Sequence, residues 1–314
     1  MKKTKFNVAV LSLVFAASLS CLGACPTRAE PIALKLKQGQ IFNWTYKIRN
    51  TVSQDGKAPN AGGSDTPFKM YVLDAGADGY VVEFQQGHTQ LDAAHAAASA
   101  NPVLKDLSIL MERLKIRVAL SNGGELGKIQ NAQELKAAGQ EIIGGIVSMR
   151  PSQDDQKQKK LLENIFGSET GIAAMFLKNV PLLFSCVDLD PADGAPNTTE
   201  IELPNVFGGD PLKGARTTTV KLSPSRSDAA EADVVQSVDR DSFIRMMNDL
   251  AVKATGRPAP ENAFKGMLGD DAFKDEMHFT CDLNTGLADI ANFRRTMTIP
   301  GRHQENEAEF IAVK

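Results

Sequence analysis

The sequence predicts an α+β fold: a curved antiparallel sheet of about nine strands, with helices inserted between sheet segments and packed on one face. Three observations support this class. Strict alternation of apolar and polar residues recurs towards both ends of the chain, most regularly in residues 277–283. Short turn signatures rich in Gly, Asn and Asp separate these segments, as they do in antiparallel hairpins. Segments with helical periodicity fill the middle of the chain.

Alternation in the N-terminal part predicts a meander. Its strands are expected at residues 32–37, 42–49, 68–72 and 80–84. Residues 52–66 are rich in Gly, Asn, Asp and Ser and therefore predict a mobile loop. Trp44, the only tryptophan, lies on the apolar side of the second strand, so we expect its ring to be buried.

The middle of the chain combines one hairpin with helices. Residues 116–120 and 126–129 flank a Ser-Asn-Gly-Gly turn, which predicts a hairpin. Asn131 and Glu134 have the spacing of a helix cap. Helices are predicted at residues 91–100, 101–114, 131–150 and 152–166. Residues 172–184 form the most apolar stretch beyond the N-terminal leader.

Strands return in the C-terminal part. They are expected at residues 198–203, 215–222, 229–238, 277–283, 287–299 and 307–313, with a helix beginning at Asp239 or Asp241. Gly286 is expected to adopt the left-handed conformation in the hairpin loop. The alternation slips between Ile290 and Phe293, which predicts a β-bulge. Because Pro and Gly separate single elements rather than two halves, residues 30–314 are predicted to form one domain.

The first 29 residues have the pattern of an export signal, with a lysine-rich start and an uncharged apolar run. Two ways of processing are open. Cleavage after Ala29 would release a protein into the periplasm or the medium. Alternatively, Leu22-Gly23-Ala24-Cys25 is similar to a lipoprotein box, in which Cys25 would be acylated and anchor the protein to a membrane. Pro26 directly after the cysteine favours cleavage after Ala29.

The charge of residues 30–314 excludes two classes of partner. Without Lys2, Lys3, Lys5 and Arg28 the chain has 31 basic and 38 acidic residues, a net charge of −7. This acidic surplus argues against binding to nucleic acid or to an anionic membrane surface. No second apolar run approaches the length of a transmembrane span.

Two cysteines remain after the signal, Cys186 and Cys281. In an oxidising compartment such a pair is more often a disulfide than two free thiols, so we predict a bond between them. The alternative is two separately buried cysteines that act as small apolar residues.

The histidines give no signature of catalysis or metal binding. His88 and His95, with Asp92 between them, are seven residues apart, a spacing that is not typical of zinc ligands. His278 is expected on the opposite side of its strand from Cys281, so the two cannot form a nucleophile–base pair.

Two loops are similar to ligand-binding motifs but depart from them. Asp188, Asp190 and Asp193 lack the later ligands and the glycine position of a calcium loop. Residues 123–128 are one residue short of a phosphate-binding loop, and Ile129 stands where a magnesium ligand belongs. The sequence therefore predicts no catalytic residue, metal ligand or cofactor site.

One group of apolar side chains could line a cavity for a lipid-sized ligand against the sheet, although an ordinary core is the alternative. Its members come from the apolar stretch and from the methionine-rich helix, where methionine suits adaptable binding surfaces. They are Ile172, Met175, Phe176, Phe184, Met246 and Met247.

Three segments resemble a group of exported bacterial β-rich domains of unknown function. They are Leu34-Lys35-Leu36-Lys37-Gln38-Gly39-Gln40, Val118-Ala119-Leu120-Ser121-Asn122-Gly123-Gly124 and Asp282-Leu283-Asn284-Thr285-Gly286. The resemblance implies a secreted or envelope-attached domain and carries no catalytic residue. The outline of a curved sheet with helices also resembles the carriers that move lipoproteins across the periplasm, at the level of the fold alone.

These observations favour a non-enzymatic cell-envelope protein that binds an apolar ligand or a protein partner. The alternative is a periplasmic hydrolase whose site is assembled from distant segments and therefore leaves no local motif.

The two processing routes predict different masses for the exported protein. We expect the mature chain to begin at Glu30, because Thr27 and Ala29 supply the small residues that signal peptidase requires. Intact-mass spectrometry of the processed protein tests this. A diacylglyceryl group on Cys25 would show that the lipoprotein route operates instead.

Overall fold

The computed structural model describes residues 30–92, 109, 111–149, 163, 166–191, 194–203, 211–255, 257, 273–299 and 302–313. Within these residues twelve strands form one sheet, and every neighbouring pair is antiparallel. The export signal and most of the helices predicted at 91–100, 101–114 and 152–166 lie outside the described residues, and Leu91 at the start of the first of these belongs to a strand. Half of the strands come from each end of the chain.

The N-terminal strands are β1 (Ile41–Gln54), β2 (Asn60–Gly76), β3 (Gly79–Gln86), β4 (Gln90–Leu91), β5 (Lys115–Leu120) and β6 (Leu126–Ile129). The C-terminal strands are β7 (Asn197–Leu203), β8 (Leu212–Leu222), β9 (Ala229–Val238), β10 (Phe273–Asp282), β11 (Ala288–Ile299) and β12 (Arg302–Ala312). The order across the sheet is β6-β5-β3-β2-β1-β12-β11-β10-β9-β8-β7, and β4 pairs with β2.

Three of the described helices link the two groups of strands, and the fourth links β9 to β10. They are α1 (Ala132–Met149), α2 (Glu169–Phe176), a 3₁₀ helix (Val180–Phe184) and α3 (Arg240–Thr255). Ser168 caps α2 by accepting a hydrogen bond from the backbone N–H of Gly171. Asp239 caps α3 in the same way, through the N–H of Ser242 at 2.8 Å. The sequence predicted a helix start at Asp239 or Asp241, and Asp239 is the capping residue.

The two faces of the sheet differ in polarity. The inner face carries Trp44, Phe68, Val82, Phe279 and Phe310, all at most 3% exposed. The outer face carries ion pairs between neighbouring strands. Examples are Lys47–Glu309 at 3.6 Å, Arg49–Asp65 at 2.6 Å and Arg294–Glu305 at 2.8 Å. This one-sided burial is typical of an antiparallel sheet with helices on one face, as predicted.

Three expectations need correction. The described sheet has twelve strands rather than about nine. Residues 52–66 are not a loop, because β1 continues to Gln54 and β2 already begins at Asn60. The bulge lies at Asp289 rather than between Ile290 and Phe293, since Thr280 pairs with Ile290 whereas Cys281 pairs with Ala288.

The predicted first strand, residues 32–37, is extended but does not join the sheet. Ile32, Leu34 and Leu36 are buried, as their alternation predicted. Their backbone instead bonds to two turns: Ile32 N–H donates to the Leu189 carbonyl, and Lys35 N–H donates to the Thr285 carbonyl, both at 2.9 Å. The alternation therefore identified the buried side chains of this segment correctly, but it did not show whether the segment pairs with another strand.

The hairpin turns follow the sequence prediction. Gly286 has φ +77° at the end of the β10–β11 loop, and a Cβ there would lie 2.4 Å from the Ala33 carbonyl oxygen. Gly124 has φ +79° in the β5–β6 turn, and a Cβ would lie 2.8 Å from the Phe184 Cβ. Both positions need glycine for its backbone conformation and for close packing.

Trp44 is buried at the centre of the sheet, as predicted, and is 3% exposed. Its indole Nε1–H donates to the Ala288 carbonyl at 3.0 Å, which satisfies its polar atom inside the core. This bond reaches from β1 past β12 to the bulge on β11.

Trp44→Ala should lower the free energy of unfolding by about 3–5 kcal/mol, because it removes a large buried ring. Chemical denaturation measures this. Ile41→Ala is the matched control on the same strand, since Ile41 is 55% exposed and should change stability by about 0.5 kcal/mol or less. Equal stability of both variants would contradict the assigned inner face.

Candidate functional site

Helices cover the inner face at two places and form two hydrophobic clusters. In the first, side chains of α1, α2 and the 3₁₀ helix pack with the Trp44, Phe279 and Phe310 region. In the second, Phe243, Ile244 and Met246 of α3 pack with Val238. The candidate site is the part of the inner face that extends from the margin of the first cluster to the second cluster.

The structure divides the residues that the sequence suggested for an apolar cavity. Ile172, Phe176 and Phe184 are buried in the first cluster, and Met175 packs against it. Met246 and Met247 belong to the second cluster. The six side chains therefore lie on opposite sides of the candidate site and do not share one cluster.

A disulfide holds the helices of the first cluster to the sheet. Cys186, just beyond the 3₁₀ helix, is bonded to Cys281 on β10, with their Cα atoms 5.6 Å apart. This is the pair that the cysteine count predicted. Both residues are fully buried.

A hydrogen bond makes a second attachment near the 3₁₀ helix. Asn179 donates to the hydroxyl of Tyr46 on the inner face of β1, and the Tyr46 ring stacks on Phe310 at 4.5 Å. Burial raises the pKa of the Tyr46 hydroxyl above its usual value, while the bond from Asn179 lowers it by a smaller amount. The hydroxyl therefore favours its neutral form.

The middle apolar row crosses the inner face at the margin of the first cluster, which includes Val234 and against which Met277 packs. It consists of cross-strand neighbours from β8 to β1: Thr218, Val234, Met277, Phe293, Ala308 and Ile48. Val234 and Ala308 are buried, but Thr218, Met277, Phe293 and Ile48 remain half-buried. The row thus presents large apolar side chains that the protein does not fully cover.

The polar row lies two residues further along the same strands, about 7 Å away. Its members, again cross-strand neighbours, are Arg216, Gln236, Asp275, Arg295, Asn306 and Asn50. They point to the same face as the middle apolar row, because side chains two apart on a strand share a face.

A neutralised ion pair stands at the centre of the polar row. Asp275 is 4% exposed, and its two carboxylate oxygens accept from Nε and Nη2 of Arg295 at 2.7 and 2.8 Å. The Arg295 guanidinium also lies over the rings of Phe273 and Phe293, 4.8 and 5.4 Å from their centroids. Such bidentate geometry compensates the buried carboxylate.

Arg216 is the second cation of the polar row, and it is exposed. With the Gln236 amide turned so that its oxygen faces Arg216, that oxygen accepts from Nη2 and Nε at 2.9 and 3.0 Å. Among the described residues no carboxylate forms an ion pair with Arg216. Within the described part of the chain, Arg216 is therefore held by an uncharged amide and not by a carboxylate.

The sequence missed the polar row. Asp275 precedes Met277 by two residues and Arg295 follows Phe293 by two, so each shares a strand face with an apolar residue. The sequence therefore contains the polar row as charged residues at positions where the alternation predicts apolar ones. We began the predicted strand at Met277, and this excluded Asp275 from the pattern.

The histidines of the described residues lie at the surface. His88 bonds to Glu112 at 2.7 Å, His278 to Asp233 at 2.8 Å on the outer face, and His303 to Thr298 at 3.0 Å. His95 lies outside the described residues. In the part of the chain that the structure describes, no three His, Cys, Asp or Glu side chains converge as a metal site would require.

The loops that are similar to ligand-binding motifs have structural partners. The N–H of Asp188, which has φ 64°, donates to the Ile32 carbonyl. Gly124 N–H donates to the Ser121 carbonyl at 3.0 Å, which closes the predicted hairpin turn. Asp193 lies outside the described residues.

A groove of about 500 Å³ lies at the edge of the sheet, between the β2–β3 turn and the β5–β6 hairpin. It is open to solvent and is lined by the ends of β2, β3, β5 and β6 and by the turns between them. It contains none of the predicted site residues, so we place the candidate site on the inner face.

The comparisons with known proteins show only weak likeness. No protein-family model and no characterised protein sequence matches the chain. A structure of lipovitellin described for its lipid–protein interactions is similar with a TM-score of 0.41 and 9% identity, over 89% of this chain and 26% of the lipovitellin chain.

Two further structures are less similar. DynF from the dynemicin biosynthesis pathway of Micromonospora chersina has a TM-score of 0.19 and 8% identity, over 90% of this chain and 85% of DynF. The Pseudomonas aeruginosa MucA/MucB complex has a TM-score of 0.13 and 10% identity, over 86% and 89% of the respective chains. These scores are too low to transfer any property.

In the described residues no helix is both long enough and apolar enough to cross a membrane. The structure is a β-rich domain with one bonded cysteine pair.

The protein with residues 30–314 should contain no free thiol when it is denatured without reductant, because Cys186 and Cys281 are its only cysteines. A thiol count tests this, and two free thiols per chain would contradict the bond. The bond closes a loop of 95 residues, so the Cys186→Ser, Cys281→Ser variant should be less stable by about 4–5 kcal/mol. The reduced wild-type protein is the control for the substitutions.

Proposed function

We propose that this chain is a non-enzymatic binding module that holds an apolar ligand against the inner face of its sheet. The partly exposed middle apolar row, at the margin of the first hydrophobic cluster that faces the second, carries this proposal. Met277 and Phe293 lie at its centre, and burying them under a ligand would gain hydrophobic free energy.

The geometry on either side of the row supports a bound ligand rather than a continuous core. Phe279, two residues from Met277, is 1% exposed under the first cluster. On the other side, Asp275 and Arg295 begin the polar row. A ligand in the middle apolar row would therefore have an apolar wall on one side and polar groups on the other, as in many small-molecule sites.

We also propose that the module works in the cell envelope after export. The leader pattern of residues 1–29 and the bonded cysteine pair support an oxidising compartment. A lipid anchor at Cys25 would place the same module on a membrane.

A hydrolase is not favoured by any arrangement in the described residues. Such an enzyme needs a nucleophile within hydrogen-bond reach of a base. Both cysteines are bonded to each other, and His278 meets Asp233 on the outer face rather than in the candidate site. The Thr298 hydroxyl lies 3.0 Å from His303, but this contact is also on the outer face.

Binding of the neutral fluorescent probe N-phenyl-1-naphthylamine tests the proposal. We expect saturable binding by the oxidised wild-type protein. Met277→Gln keeps the length of the side chain but adds an amide to the middle apolar row. It should weaken the probe about tenfold, because burying an unpaired amide is unfavourable.

Thr280→Gln is the matched control, since it places the same amide on the outer face of β10. It should bind the probe like the wild type. If neither the wild type nor Thr280→Gln binds the probe, or if Met277→Gln binds it unchanged, the inner face does not hold an apolar ligand. A face that serves a protein partner would give the first of these results.

A further inference from the structure

We infer that the ligand is a single-chain amphiphile whose carboxylate head group binds Arg216 while its acyl chain lies along the middle apolar row. This inference rests on the proposed function and adds the chemical class of the ligand. The observation behind it is the position of the Arg216 guanidinium near one end of the middle apolar row.

The charges of the polar row leave one positive charge without a counterion. Asp275 neutralises Arg295 through two hydrogen bonds. Arg216 is instead held by the uncharged amide of Gln236. A ligand with one negative charge would complete the balance, and a guanidinium fork suits the two oxygens of a carboxylate.

The remaining N–H groups of Arg216 have no partner among the described residues, so they can donate to a ligand. The Gln236 oxygen fixes the guanidinium by accepting hydrogen bonds from Nη2 and Nε of Arg216 at 2.9 and 3.0 Å. This fixation reduces the conformational entropy that binding would otherwise cost.

The direction of the acyl chain follows from the order of the strands. Arg216 lies on β8, next to Thr218 and Val234 at one end of the middle apolar row. From β8 the row runs across β9, β10, β11 and β12 to Ile48 on β1. With a strand spacing of about 4.8 Å, this is about 24 Å, enough for an extended acyl chain.

The neutral Asp275–Arg295 pair would flank the chain without attracting its head group. Since Arg295 already donates to both oxygens of Asp275, a second carboxylate there would compete with a buried acid. Recognition at Arg216 avoids this competition. The two arginines on the same face thus have different roles.

Displacement of N-phenyl-1-naphthylamine by palmitate and by hexadecanol tests the inference at low ionic strength. The two ligands share chain length and differ in head-group charge. The wild type should bind palmitate about tenfold more tightly than hexadecanol, the lower end for a charged hydrogen bond because Arg216 is exposed. Arg216→Met should lose this preference and keep its affinity for hexadecanol.

Lys213→Met is the matched control, because it removes one positive charge from the outer face of the same strand. It should keep the palmitate preference. Equal loss in both variants would mean that net charge, not Arg216, attracts the anion, and this would overturn the inference.

The outcomes separate the inference from the proposed function. If the probe and hexadecanol bind but palmitate is not preferred, the inference fails and the proposed function stands. If no probe binds, both fail. Hexadecyl phosphate serves as a third ligand. If it binds more tightly than palmitate, and Arg216→Met removes this difference, the inferred head group is a phosphate rather than a carboxylate.

Discussion

The pairing of β1 with β12 is the constraint on which the rest of the structure depends. The N-terminal meander and the C-terminal meander meet only along this pair within the described sheet, from Trp44 opposite Ala312 to Gln54 opposite Arg302. The two strands come from opposite ends of the chain, so their contact costs much loop-closure entropy. Side chains on the inner face offset this cost: Tyr46 stacks on Phe310, and Phe68 meets the same ring edge-on.

The bulge on β11 strengthens this junction from one strand away. Asp289 is inserted between the pairs Thr280–Ile290 and Cys281–Ala288, and this extra residue shifts the register of the ladder. The Ala288 carbonyl accepts from the Trp44 indole, and the Asp289 carboxylate pairs with Arg226 in the β8–β9 connection. One extra residue thus joins β1 to β11 and β11 to the turn before β9, across strands that are not direct neighbours.

The sequence predicted the local elements well and the long-range pairing poorly. Alternation and turn residues located β8, β9 and the β10–β11 hairpin, because those signals are local. The sequence predicts a loop for the early part of β2, because glycines and polar residues weaken the strand pattern there. There Gly63 approaches β1 so closely that a Cβ would lie 2.3 Å from the Ile48 carbonyl oxygen. Glycine at this position therefore permits the close pairing of β2 with β1. This role cannot be recognised from the sequence, because it depends on which strand lies next to β2.

In the candidate site, too, the sequence predicted the features that depend on single residues and missed those that depend on contacts between distant segments. The cysteine pair followed from counting, since only two cysteines lie beyond the leader. The proposed cavity residues did not share one cluster, because periodicity shows which side of a helix is apolar but not which part of the sheet it covers. The polar row escaped detection because its members are far apart in sequence and meet only through strand register.

The polar row also explains why the inner face has two separate clusters. A sheet of this width with an uninterrupted apolar face would need helices along its whole length, and any uncovered part would favour aggregation. Asp275 and Arg295 interrupt the apolar surface at the cost of burying a carboxylate, and their bidentate bonding and the rings of Phe273 and Phe293 offset that cost. A buried ion pair rarely adds stability over apolar residues of equal size. The position of the Asp275–Arg295 pair is therefore better explained by the interruption of the apolar face than by a gain in the stability of the fold.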